Sequence, residues 1–291
     1  MFDRYITVDW SASNTPKTGK DSIWICDLGK VGDPSSTNPS TRRKAENQLR
    51  QLLIEAVDRS ERVLIGFDFP YGYPRGLATA LGLQGPPWSA LWRYLEAQVE
   101  DSLLSNESNR FQVAAGINAQ LVDHGFWGRP AAPRLSSLSM KRDQVRYRLE
   151  GEAAGLCEWR EVELVLRRRR IHPHSTWKLF GAGSVGSQAL TGIPVVSRLR
   201  NDPRLAALSR VWPFEVGVPE LPEGRGAVVH AEIWPSFETI SYGPGMVKDE
   251  AQVIGVAHGF RQRDESGSLA ALFASYSPAG AEEGWILGVV V

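Results

Sequence analysis

Short apolar runs separated by polar turns dominate both ends of the chain, which is the pattern of strands in a sheet. Three runs lie in the first third and predict strands over 4–9, 22–27 and 63–68. Two more, "GAVVHAEIWPSF" and the final "GWILGVVV", predict strands over 227–233 and 285–290. The run "VLIGF" has no polar alternation, so we expect its strand to be covered on both faces.

Helical spacing appears between these runs. Leu49, Leu52, Leu53 and Val57 recur at intervals of three and four, which predicts a helix over 41–60. The stretch 248–276 predicts one or two helices, with Asp264 as an N-cap before "LAALF". Strands that alternate with helices predict an α/β fold with a mixed sheet.

The segment from 76 to 165 departs from this alternation. "PPWSALWRYLEAQVEDSLL" and "MKRDQVRYRLEGEAAG" both predict helices, and tryptophans are concentrated there. We therefore expect 1–291 to form one domain, in which 76–165 is a mainly helical insertion or cap beside the functional site. The ten tryptophans are interpreted as clamps that hold irregular loops on the core, with base or sugar stacking as the alternative.

Composition narrows the class of protein. Lys plus Arg and Asp plus Glu number 33 each, so no global basic excess indicates nucleic acid, although a local patch would suffice. Cys26 and Cys157 are far apart and do not predict a disulfide framework. The sequence shows no signal peptide and no apolar run of the ~20 residues needed to span a bilayer. We expect a cytoplasmic protein without a membrane partner.

Three acids stand at the ends of predicted strands, namely Asp9, Asp68 and Glu232. Ligands of such sheets gather outside strand ends, so these side chains are candidates for one site. Clustered carboxylates repel one another unless a cation neutralises them, and hard cations such as Mg²⁺ prefer oxygen ligands. The alternative is that each acid is an ordinary turn residue.

The motifs "ITVDWS", "LIGFDFPYGYP", "AEIWPSF" and "RDESGSLAALFAS" together resemble an uncharacterised family of predicted nucleases with a ribonuclease H-like (resolvase-like) fold. The resemblance covers both ends of the chain and leaves 76–165 unexplained. It implies a ribonuclease H-like mixed sheet flanked by helices. It also implies that Asp9, Asp68 and Glu232 are catalytic, metal-binding carboxylates for Mg²⁺ or Mn²⁺. Asp264 is the implied fourth acid, and Asp249 in "KDEAQV" competes with it.

One position departs from the family pattern. Trp10 follows the first acid, where many members of this fold have glycine. We expect a bulky residue there to narrow access for a nucleic-acid backbone.

The chain also resembles sequences associated with molybdopterin-guanine dinucleotide synthesis. Guanylyltransferases of that pathway have an N-terminal glycine-rich nucleotide loop with a lysine. The N-terminus here reads "VDWSASNTPKTGK" instead, so no motif supports that assignment.

A glycine-rich segment, "FGAGSVGSQALTGIP", matches the spacing G-x-G-x-x-G. That spacing binds dinucleotides when a strand precedes it and a helix follows. Neither is predicted, because "HPHSTWKLF" is not strand-like and Gly192 and Pro194 come too soon for a helix. Backbone N–H groups of such a loop also hold phosphates. The candidate ligand-binding residues are therefore those of the loop and its neighbours: Ser175, Lys178, Gly181, Gly183 and Ser184. A tight structural loop is the equal alternative.

The run Arg167–Arg170 is the most basic part of the chain, and His172 and His174 follow it. Such a run is typical of a solvated face, and beside the acids it would contact phosphates. Two functional hypotheses remain. The first is a metal-dependent phosphodiester hydrolase, a predicted nuclease, acting on nucleic acid or a nucleotide. The second is a non-catalytic nucleotide- or phosphate-binding protein on the same fold, tied on the weaker resemblance to molybdopterin-guanine dinucleotide metabolism.

Overall fold

The structure is a computed structural model that describes residues 1–123, 125–132, 134–148, 152, 155–217, 219–221, 224–238, 240–241, 243 and 245–291. Its strands form one six-stranded mixed sheet in the order β3-β2-β1-β4-β6-β5. The strands β1, β2 and β3 are antiparallel neighbours, whereas β1, β4, β6 and β5 run parallel. The bounds are β1 Arg4–Asp9, β2 Trp24–Gly29, β3 Ser35–Thr37, β4 Arg62–Phe67, β5 Ser209–Val211 and β6 Ala227–Glu232.

Helices cover both faces of the sheet, so the predicted α/β architecture with a mixed sheet is confirmed. The α-helices are α1 Arg42–Asp58, α2 Leu77–Ala80, α3 Pro87–Gln98, α4 Arg110–Asn118, α5 Glu161–Arg168, α6 Val185–Asn201, α7 Lys248–Glu265, α8 Leu269–Ala274 and α9 Gly280–Glu283. The helix predicted over 41–60 is α1, and the two predicted over 248–276 are α7 and α8.

Alternation along the strands divides the core into two clusters. Ile6 and Val8 of β1 pack on one face together with apolar residues of α1, α3 and α6. Tyr5 faces the other side, where α5, α7 and α8 supply the apolar contacts. Val63 to Phe67 of β4 are all buried, which confirms that this strand is covered on both faces.

The predicted strand over 285–290 is wrong. Only Ile286 pairs with the sheet, through an isolated bridge to Glu232. Gly288 has a φ of +103°, and the Trp285 indole N–H donates to the Val289 carbonyl at 2.8 Å. These local bonds fold the apolar run into a turn, because glycine reaches positive φ without steric cost.

The segment 76–165 is less helical than predicted. "MKRDQVRYRLEGEAAG" forms a single 3₁₀ turn, Arg142–Gln144, among the residues that are described, and 149–151 and 153–154 lie outside them. The first predicted helix of this segment is α3. None of the ten tryptophans is exposed, which favours the clamping interpretation over a stacking surface.

Within the described residues, no helix is long and apolar enough to cross a membrane.

Candidate functional site at the ends of the parallel strands

Asp9 and Asp68 are brought together by the pairing of β1 with β4. These strands are parallel, and Val8 lies opposite Phe67, so the next residue of each strand is an acid on the same face. Their carboxyl groups lie within hydrogen-bonding reach of each other. Two carboxylates at this separation repel each other when both are ionised, which favours binding of a proton or a cation by the pair.

Burial dominates the electrostatics of this pair. It raises the pKa of Asp9 well above its usual range, and the negative charges of Asp68 and Asp249 raise it further. Burial also raises the pKa of Asp68, to about 7, against a backbone hydrogen bond from Trp10 that lowers it. Both side chains remain partly accessible, because each lines a cavity.

Asp249 is the third acid of this site. It lies in the first turn of α7 and acts on Asp9 through its charge. Its carboxylate accepts a hydrogen bond from the backbone N–H of Asp21 at 2.6 Å, which ties the β1–β2 loop to α7. The Asp21 carboxylate also raises the pKa of Asp9, as the weakest of the four neighbouring influences.

Trp10 positions Asp68 instead of blocking the site. Its backbone N–H donates to Asp68 Oδ1 at 2.7 Å, while its indole N–H donates to Thr191 Oγ1 at 3.2 Å. The ring packs edge-on against Phe67 and is 1% exposed. The predicted narrowing of access is therefore wrong, since the indole lies in the core.

Glu232 does not join the acid pair, which corrects its prediction as a metal ligand. Glu232 lies opposite Phe67 in the register of β4 with β6, one residue before Asp68, and it lines the cavity of about 280 Å³ that Asp68 also borders. There the Arg160 guanidinium donates to both carboxylate oxygens, at 2.6 and 2.7 Å. The Tyr71 backbone N–H adds a third bond at 3.0 Å. Glu232 is therefore neutralised by the chain itself.

Asp264 is also misassigned. Its carboxylate accepts hydrogen bonds from the N-terminal ammonium group, from the Phe2 backbone at 2.6 Å and from the Tyr5 hydroxyl at 2.7 Å. These partners lie at the start of β1, whereas Asp9 lies at its end. Asp264 follows Asp249 by fifteen residues along α7, a rise of about 22 Å. Because α7 runs antiparallel to β1, the acid at its start reaches the site and the acid at its end does not.

The glycine-rich loop lies beside Asp9. Gly181, Gly183 and Ser184 line the same cavity of about 520 Å³ as Asp9 and Asp249. Gly183 has a φ of +69°, and a Cβ there would lie 2.1 Å from the His174 ring, so only glycine fits.

Two of the predicted loop ligands point elsewhere. The Ser175 hydroxyl donates to the Glu158 carbonyl at 3.3 Å, and the Lys178 ammonium group donates to the Ala182 carbonyl of the loop itself. The loop is thus a candidate phosphate site without Ser175 and Lys178.

The prediction that no helix follows the loop is wrong. The helix α6 begins at Val185 and continues through Gly192 and Pro194. Gly192 packs so closely on the Phe69 ring that a Cβ would not fit there. The preceding segment is not among the strands of the described residues, so the dinucleotide arrangement stays incomplete.

The Arg167–Arg170 run lies on a solvated face, as its composition favours. All four side chains are exposed at the end of α5, and the Arg167 guanidinium stacks on the Trp159 ring at 4.2 Å. His172 and His174 follow it and line a second cavity, of about 280 Å³, together with Asp68 and Glu232.

The chemistry of the site fits a hard divalent cation in part. Asp9 and Asp68, with Asp249 nearby, supply only oxygen donors, and burial together with the negative charges of neighbouring acids raises the pKa values of Asp9 and Asp68. Among the described residues, however, no three His, Cys, Asp or Glu side chains are arranged as ligands of one ion. The donor set is therefore that of a two-carboxylate site that water and substrate oxygens would complete.

Arg110 is the residue that sequence reasoning missed. It lines the cavity beside Asp9 from the start of α4. A single arginine in "SNRFQVAAG" carries no motif, and only the packing of α4 against α6 brings it to the site.

Comparison of the chain with protein-family models, curated proteins and solved structures gives no match.

Proposed function

We propose that this protein is a metal-dependent phosphodiester hydrolase that acts on nucleic acid or a nucleotide. The observation that carries the proposal is the contact between Asp9 and Asp68 at adjacent parallel strand ends, on a cavity and without a cationic partner in the part of the chain that the structure describes. Structural acids are normally paired or solvated, and an uncompensated buried pair is typical of a functional site.

A ribonuclease H-like core is part of the proposal. An antiparallel β1–β2–β3 unit followed by parallel β4 and β6, with the first acid at the end of the central strand β1, is compatible with such a core. The edge strand β5 and the segment 76–165 are additions to it.

Asp9 and Asp68 would hold a Mg²⁺ or Mn²⁺ ion, with Asp249 as a nearby third carboxylate. When bound, such an ion lowers the pKa of a water and offsets the charge that develops on a phosphoryl group. The protein contributes the fixed position of the acids: the Trp10 N–H holds Asp68, and the bond between Asp21 and Asp249 holds the start of α7. The cavity of about 520 Å³ leaves room for a substrate beside Asp9.

A titration with Mg²⁺ and Mn²⁺ against DNA, RNA and nucleotide substrates tests the proposal. The wild type should cleave at least one phosphodiester in a metal-dependent manner, and Asp9→Asn and Asp68→Asn should fall to the metal-free background. The matched control is Asp58→Asn, because Asp58 is an exposed acid that pairs with Arg204. Equal cleavage by wild type and Asp9→Asn would contradict the proposal.

The alternative is a phosphate- or nucleotide-binding protein that does not cleave. It is favoured by the lack of a third ligand at the acid pair among the described residues and by the loop on the same cavity. Phosphate binding without cleavage at any metal concentration would decide for this alternative.

A further inference from the structure

Arg110 is a buried arginine that forms no ion pair with an acid of the described residues. It is 7% exposed, and its guanidinium donates only to neutral groups: Ser187 Oγ at 3.0 Å, Ser108 Oγ at 2.9 Å, and Asn14 Oδ1. Its Nη2 atom has no hydrogen-bond partner among the described residues. Burial and the positive charge of Arg42 lower the pKa of Arg110 to about 10, against the negative charge of Asp101, which raises it.

Two other buried arginines show what this chain does elsewhere. Arg42 forms a bidentate ion pair with Asp101, at 2.5 and 2.7 Å, and Arg160 forms one with Glu232. A buried charge is costly unless it is paired, so Arg110 retains its charge for a partner that comes from outside the chain. The nearest acid, Asp101, acts on Arg110 through its charge, but its carboxylate is already bound by Arg42.

The start of α6 adds a second anion-binding element to the same cavity. This helix has 17 residues, and its N-cap, Ser184, forms no side-chain hydrogen bond to the first turn. The N–H groups of Gly186, Ser187 and Gln188 already donate to the carbonyls of Lys178 and Ser184, so it is chiefly the helix dipole that attracts an anion to this terminus. Gly181 and Gly183 keep the approach free of side chains.

Phe180 adds an aromatic surface at the rim of this cavity. It lines the cavity and is 52% exposed, whereas most other aromatic side chains are buried. An exposed ring beside a phosphate site is the arrangement that stacks a nucleic-acid base.

We infer that Arg110 and the start of α6 bind a phosphate group and that Phe180 stacks the attached base, so that the ligand of this cavity is a nucleoside phosphate. The inference rests on the proposed function in one respect: that function places the reacting phosphodiester beside Asp9, on one side of this cavity. The nucleoside phosphate is either a free nucleotide or a unit of a single strand.

Calorimetric titration of the full chain in the presence of a chelator tests the inference without any cleavage. The probes are inorganic phosphate, thymidine 5′-monophosphate and a short thymidine oligonucleotide. Arg110→Met should weaken all three by about tenfold or more, because a charge-assisted hydrogen bond to phosphate is lost. Arg110→Lys retains the charge but loses the forked hydrogen-bonding geometry of the guanidinium, so its affinity should lie between those of wild type and Arg110→Met. Arg204→Met removes an exposed arginine and should bind like wild type.

Phe180 separates base stacking from phosphate binding. Phe180→Leu should weaken the binding of thymidine 5′-monophosphate severalfold and leave the binding of inorganic phosphate unchanged. Phe180→Tyr should bind both probes like wild type. Oligonucleotide binding tighter than mononucleotide binding identifies a single strand as the ligand, and equal binding identifies a free nucleotide. Either ratio upholds the site.

The inference is overturned if the wild type binds none of the three probes, if Arg110→Met binds phosphate like wild type, or if Phe180→Leu weakens phosphate as much as nucleotide. Thermal unfolding of each variant checks the fold. Ser187→Ala, which removes the Nε partner of Arg110 together with the hydroxyl's bond to the Leu179 carbonyl, replaces Arg110→Met if that variant does not fold. A severalfold loss of affinity in Ser187→Ala then supports the site, and wild-type affinity overturns it.

Two results distinguish this inference from the proposed hydrolase. Loss of phosphate binding in Arg110→Met with no metal-dependent cleavage by the wild type would support this inference and contradict the hydrolase. Cleavage by Arg110→Met with an unchanged KM would support the hydrolase and contradict this inference.

Discussion

Two groups of acids lie near the carboxyl ends of the parallel strands, and the protein pairs only one of them with an arginine. Arg160 bonds to both Glu163 and Glu232 and satisfies their carboxylates from within the chain. Asp9 and Asp68 meet each other instead, and no cationic side chain of the described residues forms an ion pair with them. The first group is a structural ion cluster, whereas the charges of the second repel each other until a proton or a cation binds.

This difference separates stability from function at neighbouring positions. A buried acid with its own arginine needs nothing from solution, and breaking the pair leaves a bare charge. A buried acid pair without an arginine destabilises the fold until a proton or a cation arrives. The two groups should therefore respond in opposite ways to the same chemical change.

The largest expected effect is the loss of Arg160. Arg160→Met should lower the free energy of unfolding by about 3–5 kcal/mol, because Glu163 and Glu232 would remain buried without their partner. Urea denaturation measures this change, and Arg204→Met, which breaks an exposed ion pair, should cost less than about 1 kcal/mol. Similar losses in the two variants would show that Arg160 does not stabilise the edge of the sheet.

Matched neutral substitutions in the two groups should shift stability in opposite directions. In the metal-free protein at pH 8, Asp68→Asn should raise the free energy of unfolding by on the order of 2 kcal/mol, because it removes a carboxylate whose charge is unfavourable in the folded state. This figure is smaller than the raised pKa alone would give, because the side chain is partly accessible to solvent. Glu232→Gln should lower it by about 2 kcal/mol, since Arg160 loses a charged acceptor. Denaturation curves of both variants measure the comparison.

The pH dependence fixes the sign of this effect. The folded-state pKa of Asp68 is raised to about 7, so the folded protein holds its proton more tightly than the unfolded chain. Stability from this group is therefore present below its ordinary pKa near 4 and is lost as pH rises to about 7. The advantage of Asp68→Asn should disappear near pH 4, and an advantage that is independent of pH would contradict this account.

A smaller effect separates Asp249 from Asp264. Asp249→Asn should weaken Mn²⁺ binding by about tenfold, as a neighbouring acid that supports the pair. Asp264→Asn should leave Mn²⁺ affinity unchanged and cost about 1 kcal/mol of stability, because the N-terminal ammonium group loses its acceptor. The opposite ranking of the two variants in a Mn²⁺ titration would restore Asp264 to the site.

Strand composition predicts much of the fold and half of the site. Four of the five predicted strands are present, and Asp9 and Asp68 meet because both end parallel neighbours. Glu232 also ends a strand, but it lies one residue before Asp68 in the pairing register, and its carboxylate bonds to Arg160 instead of joining the pair. A pattern of apolar residues identifies strands and does not reveal the pairing register between them.

Long-range packing accounts for the remaining errors. The direction of α7 against β1 decides between Asp249 and Asp264, and neither acid differs in local sequence in a way that reveals it. Arg110 reaches the cavity only through the packing of α4 beside α6. In the same way, the glycines of "GWILGVVV" turn a strand-like run away from the sheet.

The central claim is that the Asp9–Asp68 pair is completed by a divalent cation, and a calorimetric Mn²⁺ titration at pH 8 tests it most directly. The account predicts that the wild type binds Mn²⁺ with release of a proton, and that Asp9→Asn and Asp68→Asn each abolish binding while Glu232→Gln retains it. Binding that survives in Asp68→Asn, or that is lost only in Glu232→Gln, would contradict the account.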